Sequence, residues 1–238
     1  MGTLINCFAI IAGGFLGMFF GRFITERIQE TVLKANGAAV IVLGIAGTLS
    51  RMFLIQPERI EVTGTMSMIL SLCIGALLGE WIDIEGKMEK FGEYLKKKTG
   101  SQSDARFTEG FVSTSLTVCI GAMAVVGAIQ DGILHDPSVL TAKAVLDFAI
   151  VLVMASSMGR GCLFSFVPVG IWQGLITVLA VLIRPVFTEE ALAAISLVGN
   201  ILIALVGVNL LFGKTVRVAN LLPSLAIAVL FSFLLPGV

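Results

Sequence analysis

Long apolar runs dominate this chain and limit what it can fold into. Each run is about 20 residues long, which is the length of helix that crosses the hydrocarbon core of a bilayer. A segment in lipid must satisfy its own backbone hydrogen bonds, and a helix does so. The sequence therefore predicts an all-α polytopic membrane helix bundle with about eight transmembrane helices. The expected spans are 3–22, 35–54, 63–82, 108–130, 138–158, 161–183, 190–212 and 220–236.

The composition supports this class of protein. Hydrophobic residues make up 57% of the chain and charged residues 13%, whereas soluble domains carry about a quarter charged residues. The N-terminal apolar run lacks the positive residues that precede a signal-peptide core, so it is expected to be the first span. The formal net charge is zero, and apart from one lysine cluster no basic patch indicates a nucleic-acid partner. The expected surroundings are the lipid bilayer.

The basic residues predict which side of the membrane each loop faces. With the N-terminus outside, 12 of the 16 Lys and Arg residues fall on the cytoplasmic side. Cytoplasmic loops carry an excess of Lys and Arg, so this orientation is favoured. An even number of spans then puts both termini on the extracytoplasmic side. The four outer basic residues are Arg51, Arg59, Lys143 and Arg184.

The longest polar segment, 83–107, interrupts what is otherwise a single transmembrane domain over 1–238. It separates the first three spans, in 1–82, from the remaining spans, in 108–238. Its stretch "KMEKFGEYLKKK" places apolar and charged residues on opposite faces of a helix, which predicts a cytoplasmic amphipathic linker. Two interpretations stay open: a solvated loop that only maintains the topology, or a segment whose Lys96–Lys98 bind lipid headgroups.

Small residues recur at every fourth position of the first and third spans. Stripes of this kind let helix backbones approach closely in lipid, where packing drives helix association. They predict tight helix crossings, either within one chain or between the protomers of a homo-oligomer. The residues that form the two stripes are Gly13, Gly17 and Gly21, and Ser71, Gly75 and Gly79.

Two segments share the phrase "CIGA". One is "CIGALLGEWIDIEG" at 73–86, and the other is "CIGAMAVVGAIQDG" at 119–132. On the expected topology their spans run in opposite directions, as in the inverted repeats of many transporters. The match is short, so chance similarity between two glycine-rich spans is the alternative.

The sequence contains no convincing catalytic or metal-binding set, and we do not expect an enzyme or a cofactor. His135 is the only histidine, so neither a Ser–His–Asp set nor a zinc site is indicated. The stretch "GKT" at 213–215 lacks the glycine spacing and the preceding strand of a phosphate loop. The four cysteines form no C-x-x-C pair and are expected to be apolar packing residues.

Charged residues inside one span are the strongest candidates for a functional site. "DP" at 136–137 predicts a helix start with Asp136 as the N-cap and Pro137 at the first position. Asp147 then lies about 15 Å along the helix, near the middle of the bilayer. Lys143 is one turn earlier on the same face and can pair with it. Because charge at this depth is costly, the pair is either a structural bridge between helices or a substrate or proton-coupling site.

Amide side chains in other spans extend this candidate site. Gln173 and Asn200 lie near the middle of the sixth and seventh spans. Each is explained either by interhelical hydrogen bonding or by a place in a polar centre with Asp147. Gln130 and Asp131 end the fourth span and are expected to face a vestibule.

The stretches "CIGAMAVVGAIQDG", "LD" at 146–147, "WQGLIT" around Gln173 and "VANLLPSL" at 218–225 together carry a resemblance. The chain resembles the bacterial membrane proteins of the YqgA/YdfK type over nearly its whole length. The resemblance implies a multi-pass protein of the bacterial cytoplasmic (inner) membrane, of a family often described as transporters. Phe148 stands where the family pattern has glycine. The motif residues that carry over are Gln130, Asp131, Lys143, Asp147, Gln173 and Asn220.

Two functional hypotheses follow. The first is a small secondary transporter or channel for a small polar or ionic solute, working as a homo-oligomer, with Asp147 as a proton or cation site. Lys143 would modulate that site, and Gln130, Gln173 and Asn200 would line the path. The alternative is a non-transporting membrane scaffold or signalling partner that assembles through its glycine stripes.

Overall fold

A computed structural model describes residues 1–20, 25–55, 59–87, 90, 105–119, 122–183 and 188–234. These residues form the all-α bundle expected of a polytopic membrane protein, with one short antiparallel hairpin of β1 (Phe53–Ile55) and β2 (Ile60–Val62). The helices are α1 (Gly2–Phe20), α2 (Glu26–Met52), α3 (Thr65–Ile82), α4 (Ala105–Cys119), α5 (Ala122–Ile133), α6 (Ser138–Met158), α7 (Phe166–Ile183), α8 (Glu189–Phe212) and α9 (Pro223–Leu234). Short 3-10 helices, Arg160–Ser165 and Val218–Leu221, precede α7 and α9.

The number of membrane spans is smaller than expected when judged by length and composition. A bent pair, Ser113–Cys119 and Met123–Ile133, makes one span only if its two parts, 54° apart in direction, are counted together. The expected spans 35–54 and 220–236 fall on shorter apolar helices, so the count of eight is not confirmed. Within the described residues, the helices that are long and apolar enough are Gly2–Phe20, Thr65–Lys87, Ser138–Ser156, Arg160–Leu182 and Glu189–Phe212, and the shorter ones are Gly37–Met52 and Val218–Leu234.

The chain divides into two compact units, each built from an early and a late part of the sequence. The first unit contains Met1–Asn36 and Gly86–Val181, and the second contains Gly37–Glu85 and Leu182–Val238. The two "CIGA" segments fall in different units, 119–132 in the first and nearly all of 73–86 in the second. The inverted repeat stays a hypothesis.

Close packing of α1 against α6 organises the first unit. A Cβ atom at Gly13 would lie 2.5 Å from the carbonyl oxygen of Phe148, and one at Gly17 would collide with that of Leu152. The glycines therefore let the two backbones meet. Gly21 lies outside the described residues. The apolar core beside this contact contains Ile10, Val118, Val151, Ala155, Cys162 and Val169, all buried.

The second unit uses glycine in the same way at two crossings. A Cβ at Gly44 of α2 would lie 2.5 Å from the Ala204 backbone nitrogen on α8. Gly75 and Gly79 of α3 face the chain around α9, where added Cβ atoms would collide with Ser224 and with the Asn220 carbonyl oxygen. Ser71 of the same stripe is buried. Each glycine stripe thus has a partner inside its own unit.

The start of α6 differs by one residue from the expectation, while its end at Met158 agrees with it. The helix begins at Ser138 with Pro137 at the N-cap position, and no side chain caps it there. Asp136 Oδ1 instead accepts a hydrogen bond from the Ser138 N–H at 2.9 Å. The carboxylate therefore stabilises the turn before the helix. At the other end, Gly159 has φ 83°, a conformation that glycine adopts without steric cost, and it ends α6 before the 3-10 helix.

The amphipathic linker expected at 83–107 lies mostly outside the described residues. Residues 88–89 and 91–104 are in that part, and they include Lys96–Lys98. The lipid-binding interpretation of these lysines therefore stays a prediction.

Candidate functional site

A buried ion pair occupies the middle of α6. Asp147 is the tenth of the helix's 21 residues, and it is 2% exposed, against 6% for Lys143. Lys143 Nζ donates to both carboxylate oxygens of Asp147, at 2.7 Å each. The spacing of four residues places the two side chains one helical turn apart on one face. The helix therefore carries its own neutralising partner for a charge that would be costly in an apolar bundle.

The third hydrogen of the Lys143 ammonium goes to a helix end. Nζ donates to the carbonyl oxygen of Val118 at 2.8 Å, near the C-terminus of α4, where the last carbonyls lack intrahelical partners. The direction of the chain changes by 54° between α4 and α5 just after this point. The ammonium thus joins the carboxylate to the carbonyl end of a bent helix pair.

Asn6 of α1 completes the site, and sequence reasoning missed it. Its Nδ2 donates to Asp147 Oδ2 at 2.8 Å and lies 3.4 Å from Gln173 Oε1 on α7. The signal was available, since Asn6 is the one amide within the first apolar run. The glycine stripe of the first span does not by itself indicate this amide.

The two amides leave polar atoms unused. Within the part of the chain that the structure describes, Asn6 Oδ1 and Gln173 Nε2 are buried without a hydrogen-bond partner. Buried polar atoms of this kind are uncommon in folded proteins. Asn6 bonds to the carboxylate of Asp147, and Gln173 bonds to Asn6. The site therefore has hydrogen-bonding capacity beyond what its own side chains use.

Gln130 and Asp131 are buried in the first unit, at the end of α5, where a vestibule had been expected. Asp131 Oδ2 accepts from the backbone N–H of Gly2 at 3.0 Å and from the Met1 amine at 3.0 Å. A carboxylate at a helix N-terminus satisfies unpaired N–H groups and favours the helix dipole. Asp131 therefore caps α1 from a distant part of the chain.

Replacing Asp131 by alanine is expected to lower the free energy of unfolding by about 1 kcal/mol, the usual effect of losing a helix cap. Asp131→Asn should lose less, because the amide oxygen can still accept from Gly2. Thermal unfolding of the purified protein in detergent measures both. Equal losses for the two variants, or none for the alanine variant, would contradict the capping role.

Asn200 and Asn220 belong to the second unit, and their described contacts lie within it. The Asn200 side chain packs on Gly47, where a Cβ would lie 2.5 Å from its Cγ. Asn220 Oδ1 accepts from the Glu85 backbone N–H at 2.7 Å. Lys214 and the Ala219 N–H hold the Glu85 carboxylate in turn, at 2.8 and 3.4 Å. The structure thus brings together Lys143, Asp147 and Gln173, and it gives the two asparagines separate local roles.

The groups around Asp147 are mainly oxygen donors. A carboxylate, a backbone carbonyl and two amides present oxygen atoms, which hard cations prefer. No group of three or more His, Cys, Asp or Glu able to hold a metal ion occurs among the described residues. Of the oxygen donors around Asp147, only its own carboxylate is acidic.

Comparisons with known proteins agree with a membrane protein. A family model described as "Protein of unknown function (DUF554)" matches residues 1–233. The chain is 30% identical over 226 residues to the "Uncharacterized membrane protein YdfK" of Bacillus subtilis. The matched region covers 95% of this chain and 93% of YdfK. It is 28% identical over 235 residues to the "Uncharacterized protein YqgA" of Escherichia coli, and this matched region covers 96% of this chain and 94% of YqgA. No solved structure matches the chain. The resemblance to these proteins that the sequence motifs indicated is confirmed.

Proposed function

This chain belongs to the DUF554 family, and its relative YdfK is named a membrane protein. We propose that the buried ion pair of this chain acts in transport across the membrane. The protein is a small secondary transporter or channel for a small polar or ionic solute. Asp147 is its proton or cation site, and Lys143 modulates that site. The family description names no activity, and the geometry of the site carries the proposal.

The observation that carries this proposal is the position of the ion pair. A charged pair in the middle of an apolar helix costs desolvation energy that an apolar pair would not. Ionisable residues inside membrane helices typically mark ion or substrate pathways. Here Lys143 also contacts a carbonyl near a helix end beside a change in chain direction. Helix ends of this kind bind ions in transporters built from broken helices.

The other polar residues of the first unit support a path near Asp147. Gln173 adjoins Asn6, which contacts Asp147, and Gln130 is buried on α5. We place these residues along the solute path. Asp131 has a capping role, and the assignment of Asn200 and Asn220 to the path stays a prediction.

We further propose that the protein lies in the bacterial cytoplasmic membrane with both termini on the extracytoplasmic side, as the distribution of Lys and Arg favours. A homo-oligomer remains part of the proposal. Its contacts would not use Gly13, Gly17, Gly75 and Gly79, because those glycines already face backbone or side chains of their own unit. The scaffold hypothesis would then need contacts other than these four glycines.

Asp147→Asn is expected to abolish solute-coupled proton or cation movement. The measurement uses purified protein in liposomes that contain a pH-sensitive or a sodium-sensitive dye. Alkali chlorides, ammonium, small carboxylates and amino acids are added outside in turn. Flux that the wild type shows should disappear in the variant, because an amide at this position neither carries a proton nor supplies a negative charge.

The matched control is Asp136→Asn, which changes an exposed carboxylate in the connection before α6 and should leave the flux intact. A flux with unchanged pH and cation dependence in Asp147→Asn would refute the coupling role. Absence of flux for every solute in the wild type would count against transport itself.

A further inference from the structure

The Lys143 ammonium lies among oxygen atoms that would suit a free cation equally well. Three oxygens surround Nζ: the Val118 carbonyl at 2.8 Å and the two carboxylate oxygens of Asp147 at 2.7 Å. One carboxylate with neutral oxygens carries a single negative charge. Such a set balances one positive charge and leaves a divalent ion undercompensated.

A further oxygen adjoins this set without a partner of its own. Asn6 donates its Nδ2 to Asp147 Oδ2 at 2.8 Å, while its Oδ1 is buried and unpartnered among the described residues. The side chain is fully buried, so water outside the bundle does not satisfy this oxygen. Lys143 does not bond to this oxygen, since its three hydrogens are already donated, so the oxygen stays available as a ligand for a cation bound beside Asp147.

Lys143 can leave the site without unfolding the helix. It is five residues from Ser138, the first residue of α6, or about 7.5 Å along the axis. The lysine stem is flexible, and long basic side chains near helix ends extend toward the polar region. The ammonium is thus a tethered cation that is able to withdraw.

We infer that the oxygens of Val118, Asp147 and Asn6 form a binding site for a monovalent cation of about ammonium size, for which the Lys143 ammonium is the alternative occupant. The free occupant is an alkali ion or a small protonated amine, which share this chemistry. The inference depends on the proposed function for its physiological meaning, since exchange between the two occupants would couple ion binding to the bent pair α4–α5. The binding itself is measurable without transport.

The test removes the tethered occupant. Purified Lys143→Met protein is heated in detergent while the fluorescence of Trp81 and Trp172 is followed. The buffers contain NaCl, KCl or methylammonium chloride, with choline chloride at equal ionic strength as the reference. At about 100 times its dissociation constant, the bound cation should raise the melting temperature by about 5–10 °C over choline. The salt that raises the melting temperature at the lowest concentration identifies the cation that the site prefers.

Two further variants make the result specific. The double variant Lys143→Met/Asp147→Asn should have the same melting temperature in all salts. The double variant Lys143→Met/Asn6→Leu should need at least about tenfold more cation for the same rise in melting temperature, a factor that corresponds to one lost ligand contact. Lys34→Met is the matched control, because it removes a lysine from an exposed pair with Glu30 at the same spacing of four residues. Equal responses of Lys143→Met and Lys34→Met would overturn the inference.

The wild type decides the question if Lys143→Met does not fold. A free cation at high concentration must then compete with the ammonium. The melting temperature should rise more with one of the three test salts than with choline chloride, and Asn6→Leu should remove the difference. Identical curves in all salts would refute the site. Cation binding without any flux in liposomes would support this inference and contradict the proposed function. Flux without a cation-dependent change in melting temperature would support the proposed function and contradict this inference.

Discussion

Lys143→Met is expected to lower the free energy of unfolding by about 3–5 kcal/mol in a buffer that contains only choline as the cation. The substitution keeps most of the side-chain volume but leaves the Asp147 carboxylate buried, 2% exposed, with no compensating charge. Removing one partner of a buried ion pair costs about this much, because the remaining charge stays desolvated. The Val118 carbonyl also loses its donor. Unfolding of the purified protein in graded SDS or by heat measures the loss.

The double variant Lys143→Met/Asp147→Leu is the control for this prediction. Replacing both members of a buried pair by apolar residues is often neutral or stabilising, so the double variant should recover most of the lost stability. Asn6 would then keep only its weaker contact with Gln173. If the double variant is as unstable as Lys143→Met, the loss comes from packing around residue 143 and not from an unpaired charge.

Gly17→Ala is expected to lower the free energy of unfolding by about 3 kcal/mol, near the upper end of the usual cost of overpacking. The added methyl group would collide with the carbonyl oxygen of Leu152 and lie 3.0 Å from the Ala155 Cβ. The first of these is backbone of α6, which cannot move away as a flexible side chain does. The two helices must separate, and the separation also draws Asn6 away from Asp147. Heat or SDS unfolding measures the effect.

Gly174→Ala is the matched control in the same unit. Gly174 lies on α7 with no atom within 4 Å of an added Cβ, so the methyl group meets nothing and alanine favours the helix. This variant should be as stable as the wild type or more so. A similar loss in both variants would mean that any methyl group on these helices is harmful, and the close contact between α1 and α6 would lose its special role.

The pairing of Lys143 with Asp147 could be predicted because it is local. Two residues four apart on one helix have their distance set by helix geometry alone, whatever the rest of the chain does. The same holds for the apolar runs, whose lengths predict helices. The fold class and the centre of the site therefore followed from the sequence.

Asn6 and Asp131 could not be placed in this way. Asn6 contacts a carboxylate 141 positions away, and Asp131 caps a helix that begins 129 positions earlier. Only tertiary packing decides such contacts. Composition does not reveal that the chain divides into units that interleave early and late segments, so depth alone groups Asn200 with Asp147, and the family resemblance alone adds Asn220. The count of eight spans is not confirmed for a related reason, since short apolar helices and bent pairs look like full spans in a sequence.

The bond between Asn6 and Asp147 also fixes an order of events during biosynthesis. At about 5–20 residues per second, the 141 residues that separate the two positions take roughly 7–28 s to synthesise. Throughout that interval the Asn6 amide has no Asp147 carboxylate to bind. Lys143 and Asp147, by contrast, emerge within a second of each other and enter the membrane as a neutral pair. The first helix must therefore wait in the bilayer for the sixth, and factors that hold newly inserted helices would act on this protein at that stage.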